Sequence, residues 1–378
     1  MKKLLSDPQA SLGLRLASIN FLLNMAFETS TVFLALYASD VGASRVQVGY
    51  IVAAYGISFF VASVVSGRQS DLRGRLVFIR VGLGLSVLAY LLQVVATSPW
   101  TLGSARVFVG VCLGTCSGTM TAYVYESRGV VGKFISVGSL GWFFGAVVAA
   151  LMKDYQVLFV ISAFASALGF GISLTLKEMP NHGVKVLTAP LSVLKSNGTI
   201  YLPFFIRQIG AQAVWAIFPL FLASIGASKT WIAVLDSINM LGQFVAMRFV
   251  DRINSRKTIV AGLVLSAIVF SAYGLATNYL QLVPVQVLLS IAWSFIFVGS
   301  ITFLLKGNVE RGTASGILYS LTFLSAGIGP LAGGLISQVW GFSALMFAAS
   351  GMSLLGLALS LRSRRLSRTG NRMNGRDQ

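Results

Sequence analysis

The chain has 378 residues, 56% hydrophobic and only 11% charged, with a mean hydropathy of +0.80. A water-soluble domain is about 25% charged, so this composition excludes a surface that faces water all round, and its apolar runs recur at about 20 residues, the length that crosses a bilayer. The net charge of +18 would suit nucleic acid, but the placement of the cations, set out below, argues for membrane topology instead.

Twelve spanning helices are predicted in chain order, at about 12–38, 46–66, 76–96, 100–125, 130–151, 156–176, 200–223, 230–250, 258–277, 280–305, 313–338 and 342–361. They are read as helices because lipid offers backbone groups no partners and the runs are too long for barrel strands. The first span carries Asn20, Asn24, Glu28 and Thr31 at spacings of 4, 4 and 3, which is one helix face. A polar face on a spanning helix must meet other helices or a cavity. Glu28, about 15 Å from the outer end at 1.5 Å per residue, is a candidate proton carrier. No cleavable signal peptide is expected, since this run is too long for one and includes Glu28. Between the second and third spans stands GRQSDLRGR, 67–75, where Gly67 and Gly74 bracket a predicted tight loop. Arg68, Arg73 and Arg75 suit the cytoplasmic side, while the Asp71 carboxylate can accept hydrogen bonds from N–H groups at the start of a neighbouring helix.

The fourth span holds Arg106, about 9 Å from its outer end, which either pairs with Glu28, if the two helices adjoin, or snorkels outward. Gly110, Gly114 and Gly118 recur every four residues in this span, as do Gly141 and Gly145 in the fifth and Gly329 and Gly333 in the eleventh. Such faces let backbones approach closely. Cys112 and Cys116 read as small buried residues, because no other Cys exists to complete a metal or redox site. The longest internal connection is 177–199, and its His182, the only His, reads as a solvated loop residue. NGT, 197–199, matches a glycosylation acceptor but falls on the cytoplasmic side. Further polar lines are Arg207, Gln208 and Gln212 in the seventh span, Asp236, Asn239 and Gln243 in the eighth, and Gln286, Ser290 and Trp293 in the tenth. Trp142, Trp215 and Tyr319 are candidate aromatic walls of a substrate cavity. Glu28 and Asp236 are the acids clearly at depth, so H⁺ is the expected coupling ion.

With the N-terminus inside, 23 of the 29 Lys and Arg fall in cytoplasmic segments, six of them in the tail, against three (Arg45, Lys153 and Lys229) in outer loops. That asymmetry places both termini in the cytoplasm. It attributes the positive charge to topology and anionic lipid, with no nucleic-acid partner. Asp71 maps onto Asp251 at an offset of 180, and Arg128–Gly129 onto Arg311–Gly312 at 183. The chain therefore divides into six-helix halves, 1–176 and 200–361, joined by a cytoplasmic linker, 177–199, and followed by a flexible basic tail, 362–378.

GRQSDLRGR resembles the loop signature of the major facilitator superfamily, with Gly67, Asp71, Gly74 and Arg75 in place. The second copy, MRFVDRINSRK (247–257), keeps Asp251 and adds Arg252, but has Met247 and Asn254 where Gly would stand. RVFVGVCLG (106–114) resembles the family's fourth-helix motif, and GIGPLAGG (327–334) its Gly-Pro motif. The resemblance covers essentially the whole chain. It implies an all-α membrane protein of twelve transmembrane helices in two pseudo-symmetric halves, a secondary carrier working by alternating access. It also implies that Asp71 faces the start of the eleventh helix near Thr313, that by pseudo-symmetry Asp251 faces the fifth near Val130, and that these contacts latch the halves. Arg106, on the same ground, is linked to proton transfer. The expected function is proton-coupled efflux of amphipathic or cationic compounds across the cell membrane. Two features weigh against it: Arg106 and Arg207 would equally suit a small organic anion or sugar, and GSLGWFFG (138–145) departs from the Gly-Pro motif of the family's antiporters. A transporter-like receptor is a further alternative. The expected partners are a small-molecule substrate, protons and membrane lipid, with a monomeric chain and no cofactor or metal. One loop His and no nucleophile–base spacing leave little for catalysis, so no enzyme is expected.

Overall fold

The computed structural model describes residues 8–127, 131–178, 190–250, 253–308 and 311–374. Among them every regular element is a helix: α1 (Pro8–Thr31), α2 (Leu34–Asp40), α3 (Arg45–Arg73), α4 (Arg75–Val94), α5 (Pro99–Glu126), α6 (Val131–Met152), α7 (Tyr155–Leu174), α8 (Pro190–Ser196), α9 (Gly198–Ser224), α10 (Lys229–Val250), α11 (Ser255–Leu275), α12 (Leu282–Gly307) and α13 (Arg311–Asn374). Ten segments are long and apolar enough to cross a membrane, and α6 adds a shorter apolar stretch, Ser136–Met152. α13 is broken at Gly341, whose φ is 84°. Gly329 and Gly333 of its first arm meet Ile209 to Ala213 of α9 in ascending order. In its second arm, Ala349 and Gly356 meet Gly210 and Pro203 in descending order, so the break folds the chain back on itself.

Several expectations are corrected. The first span is interrupted after Thr31, because Ser30 and Thr31 both turn their hydroxyls back onto the Phe27 carbonyl (2.8 and 2.7 Å), a bonding that bends helices. Gly67 does not bracket a loop: α3 runs through it to Arg73, and the chain turns at Gly74 alone (φ 95°). The freed N–H groups at the start of α4 find the Glu178 carboxylate, at 2.8 Å from Arg75 and 3.3 Å from Leu76. The linker contains α8, and beyond it the buried Asn197 exchanges amide hydrogen bonds with Asn308 (2.8 and 3.1 Å). His182 lies outside the described residues. The tail is helical as far as Asn374 rather than a flexible coil. Gly110 and Gly114 lie against the α3 backbone near Tyr55 to Phe59, but Gly118 faces open space. Cys112 and Cys116 are free and buried.

Among the described residues the buried apolar side chains gather in three clusters. One joins both halves at the end marked by the turns at Gly42, Gly226 and Gly341, with Phe33, Tyr37 and Ile51 of the first half against Ile217, Phe221 and Ile232 of the second. Toward the opposite end each half has its own cluster: Ile19, Ile79, Leu83 and Tyr123 in the first, Ile200, Leu263, Leu304 and Leu318 in the second. The main contacts between the halves are α3 with α13 and α10 with α6, and α9 also meets α2 and α3. Along the first pair Gly49 and Gly56 meet the backbone of Pro330 and Ala326, and Phe59 stacks on Phe323 at 4.3 Å.

Candidate functional site

The polar stripe of α1 lies against the glycine stripe of α6. A Cβ on Gly138 would stand 3.0 Å from the Asn24 amide nitrogen, one on Gly141 3.0 Å from the Asn24 Cβ, and one on Gly145 2.7 Å from the Glu28 Cβ. Only glycine permits that approach. Asn20 donates across the seam to the Phe134 carbonyl of α6 (2.7 Å), and Asn24 donates within α1 to the backbone and side-chain oxygens of Asn20 (2.7 and 2.9 Å). One turn further along, Glu28 is 6% exposed. Its carboxyl group lies within hydrogen-bonding reach of Asp236, which α10 brings from the other half. Two carboxyl groups can hydrogen-bond each other only when one carries a proton. The Asp236 Oδ1 is buried without a donor among the described residues.

Arg106 adopts neither of its expected arrangements. It is 1% exposed, so it does not snorkel. Instead of pairing with Glu28, it reaches the Thr31 hydroxyl with Nη2 (3.5 Å) and lies 4.7 Å from the Tyr55 ring and 5.7 Å from the Phe27 ring. Its Nε and Nη1 have no acceptor among the described residues. Gly82 of α4 packs on Cys112 to Cys116 of the antiparallel α5. The same register carries the buried Tyr90 to the level of Arg106.

The second half has a comparable buried cation. Arg207, 2% exposed, donates from Nε to Ser266 (3.0 Å) and from Nη1 to Gln208 (2.9 Å), with the rings of Phe270 and Trp293 each 5.5 Å away. Gln243 donates to Asn239 (2.6 Å), which donates to the Gln286 backbone carbonyl (3.3 Å); both side-chain amide atoms of Gln286 are buried without a partner among the described residues. Ser290 faces Gly242. Trp293 stacks on Phe297 at 4.9 Å, and Phe297 meets Tyr319 edge-on at 5.6 Å. Gln212 backs Gly329 of α13 and Trp215 packs against Phe218 of its own helix, while the Trp142 Nε1 is buried without an acceptor among the described residues.

Of the expected latch, Asp251, Arg252 and the Asp71 side chain lie outside what is described. The Arg75 guanidinium reaches the Ser70 hydroxyl at 2.9 Å. Tyr55, Tyr90 and Ser266 were not legible as site neighbours, nor was Tyr273, which is buried against Phe218 and the Phe270 that flanks Arg207. Tyr90 and Tyr273 had a signal: they stand 183 residues apart, the same offset as the two Arg-Gly pairs.

The model of the Major Facilitator Superfamily matches residues 16–206 and 200–375. The Multi-drug resistance efflux pump PmrA of Streptococcus pneumoniae is 21% identical over 361 residues, covering 88% of this chain and 90% of that protein. The class E Tetracycline resistance protein of Escherichia coli is 26% identical over 335 residues, covering 79% and 80%. The crystal structure of the nucleoside transporter NupG superposes with a TM-score of 0.77 at 15% identity, covering 93% of this chain and 98% of that one.

Proposed function

The chain belongs to the major facilitator superfamily, and from that premise we propose that this multi-pass membrane transporter exports amphipathic or cationic compounds in exchange for protons. The observation that carries the reading is the contact of Glu28 with Asp236, one carboxyl group from each half. A cation entering between the halves competes with the shared proton for the same two groups, and a seat that takes either ligand but not both is the condition for exchange. Loss of the proton leaves two like charges facing across the seam, which favours separation. Arg106 and Arg207, one in each half, then supply the countercharge.

We count α6 and the two arms of α13 as spans, which makes twelve, and the excess of Lys and Arg supports a reading with both termini inside. The end where the halves share one apolar cluster is then the outer end, and this conformer is closed outside, as expected for one state of a carrier that rocks its halves. Asp71, Gly74 and Arg75, with Asp251 and Arg252, form the inner latch of this reading. The relatives named for drug efflux and tetracycline resistance support a drug-like cargo. One observation favours an organic anion instead: neither Arg106 nor Arg207 bonds a carboxylate among the described residues.

The test is flux into liposomes with an acid interior, followed with a fluorescent lipophilic cation. Accumulation that collapses with the gradient and in Glu28→Gln supports the proposal. Gradient-insensitive flux, or accumulation of an organic anion in place of the cation, overturns it, and saturable binding without flux indicates a receptor.

A further inference from the structure

The turns that follow the first and seventh spans repeat at an offset of 184: DVGASR, 40–45, and SIGASK, 224–229. From the Gly onward, each position has the same job in both copies. Gly42 and Gly226 are left-handed (φ 91° and 88°). They close the preceding helices with the same two bonds. Gly42 and Ala43 donate to Ser39 and Ala38 (2.9 and 2.8 Å), and Gly226 and Ala227 donate to Ala223 and Leu222 (3.1 and 3.0 Å). Ser44 and Ser228 then cap the next helices, accepting from Gln47 (3.3 Å) and Trp231 (3.4 Å). That leaves Arg45 and Lys229 at the first helical position, where a cation opposes the dipole of its own helix. A residue that weakens its own helix in both copies is expected to serve another part of the molecule.

Both side chains cross to the other half. Arg45 Nη1 donates to the Ser337 carbonyl at 2.7 Å, in the last turn of the first arm of α13, and the guanidinium lies 4.1 Å over the Phe342 ring. Its backbone N–H donates to Gln338 at 3.1 Å. Lys229 Nζ donates to the Lys153 carbonyl at 3.2 Å, one residue beyond the end of α6, and lies 3.7 Å over the Tyr155 ring, whose hydroxyl donates to Asp40 at 2.6 Å. Carbonyls at a helix C-terminus have no partner within the helix and carry the negative end of its dipole.

We propose that Arg45 and Lys229 are a matched pair of outer latches, each holding the C-terminal end of a helix of the opposite half and so stabilising the state closed at that end. The two helices they grip, α13 and α6, are those whose N-terminal ends the Asp71 and Asp251 latch would engage on the other side. Cations thus serve the negative ends and carboxylates the positive ends of the same two helices. The inference rests on the reading that the Gly42 end faces outward and that the seam there opens during transport, not on the identity of the substrate or coupling ion.

The experiment measures the opening directly. Spin labels are placed at Thr97→Cys and Thr277→Cys, on outer loops of the two halves, in full-length protein with Cys112 and Cys116 changed to Ala, reconstituted in liposomes without substrate or pH gradient. Arg45→Gln and Lys229→Gln are each expected to raise the long-distance population relative to the short one by about fivefold, from the usual strength of a cation at a helix C-terminus. The double variant should raise it by about twenty-fivefold, because the contacts lie on separate helix pairs. Arg45→Lys and Lys229→Arg should remain near the parent. Unchanged distances in the double variant, or conservative variants that open the seam as far as the Gln variants, would overturn the proposal. If one variant fails to fold, the other tests the same claim on its own helix pair. Because no proton or cargo is involved, failure of the exchange mechanism leaves this readout intact.

Discussion

Replacing Gly145 by Ala tests whether the glycine stripe of α6 sets the position of Glu28. The added Cβ would stand 2.7 Å from the Glu28 Cβ, 2.8 Å from the Met25 carbonyl and 3.0 Å from the Thr29 nitrogen. Carbon contacts are comfortable from about 3.5 Å, so α1 must retreat by about 0.8 Å; two of the three obstacles are backbone, and no rotamer change relieves them. Overpacking of this kind costs about 1–3 kcal/mol, and the better helix propensity of Ala offsets about 1 kcal/mol of it. The expected net loss is about 1 kcal/mol in stability. The functional loss should be larger, because a retreat of that size carries a carboxyl–carboxyl contact out of the 2.5–3.0 Å range of O–H···O bonds. Losing a bond worth about 1.5 kcal/mol lowers the population of the proton-sharing state about tenfold. Gly118→Ala is the internal control: nothing lies within 4 Å of its Cβ, so its stability should hold or rise by up to about 1 kcal/mol. Melting followed by tryptophan fluorescence and proton-driven flux in liposomes are the assays. A Gly145→Ala protein as stable and as well coupled as Gly118→Ala would refute the reasoning.

Glu178→Ala should cost about 1 kcal/mol, because it strips the acceptor from the Arg75 and Leu76 N–H groups that open α4; a melting point equal to the parent's would contradict this capping role. Arg207→Met should leave stability unchanged or higher, since it removes a buried charge that bonds Ser266 and Gln208 but no carboxylate, while proton-driven flux falls. A loss above about 3 kcal/mol would mark it instead as half of a tightly paired network. Asn197→Ala should destabilise by about 1–3 kcal/mol by stranding the Asn308 amide, measurable by thermal melting.

The span pattern and the stripe Asn20, Asn24, Glu28 were legible because both follow from helical periodicity along one segment. The packing partner of that stripe was half legible: Gly141 and Gly145 read as a close-packing face, but nothing local says which helix they receive. The pairing of Glu28 with Asp236 joins residues more than 200 positions apart across a seam, and periodicity carries no information about that. Arg106 misled for the same reason, since depth alone made Glu28 a plausible partner, whereas Tyr55 and Phe27 take the guanidinium. Gly67 sits in a loop-like, polar stretch, yet α3 continues through it because Gly74 alone supplies the left-handed turn. The GAS-Arg and GAS-Lys repeat at 42–45 and 226–229 was in plain view and shows the two halves as clearly as Asp71 with Asp251 does.

The central claim is that a cation and a proton compete for the seat formed by Glu28 and Asp236. The most direct measurement is proton release on adding tetraphenylphosphonium to the purified protein in weakly buffered solution, with binding followed in parallel. The account predicts release of about one proton per cation bound, and binding without release in Glu28→Gln and Asp236→Asn. Saturable binding by the unaltered protein with no proton released would contradict it.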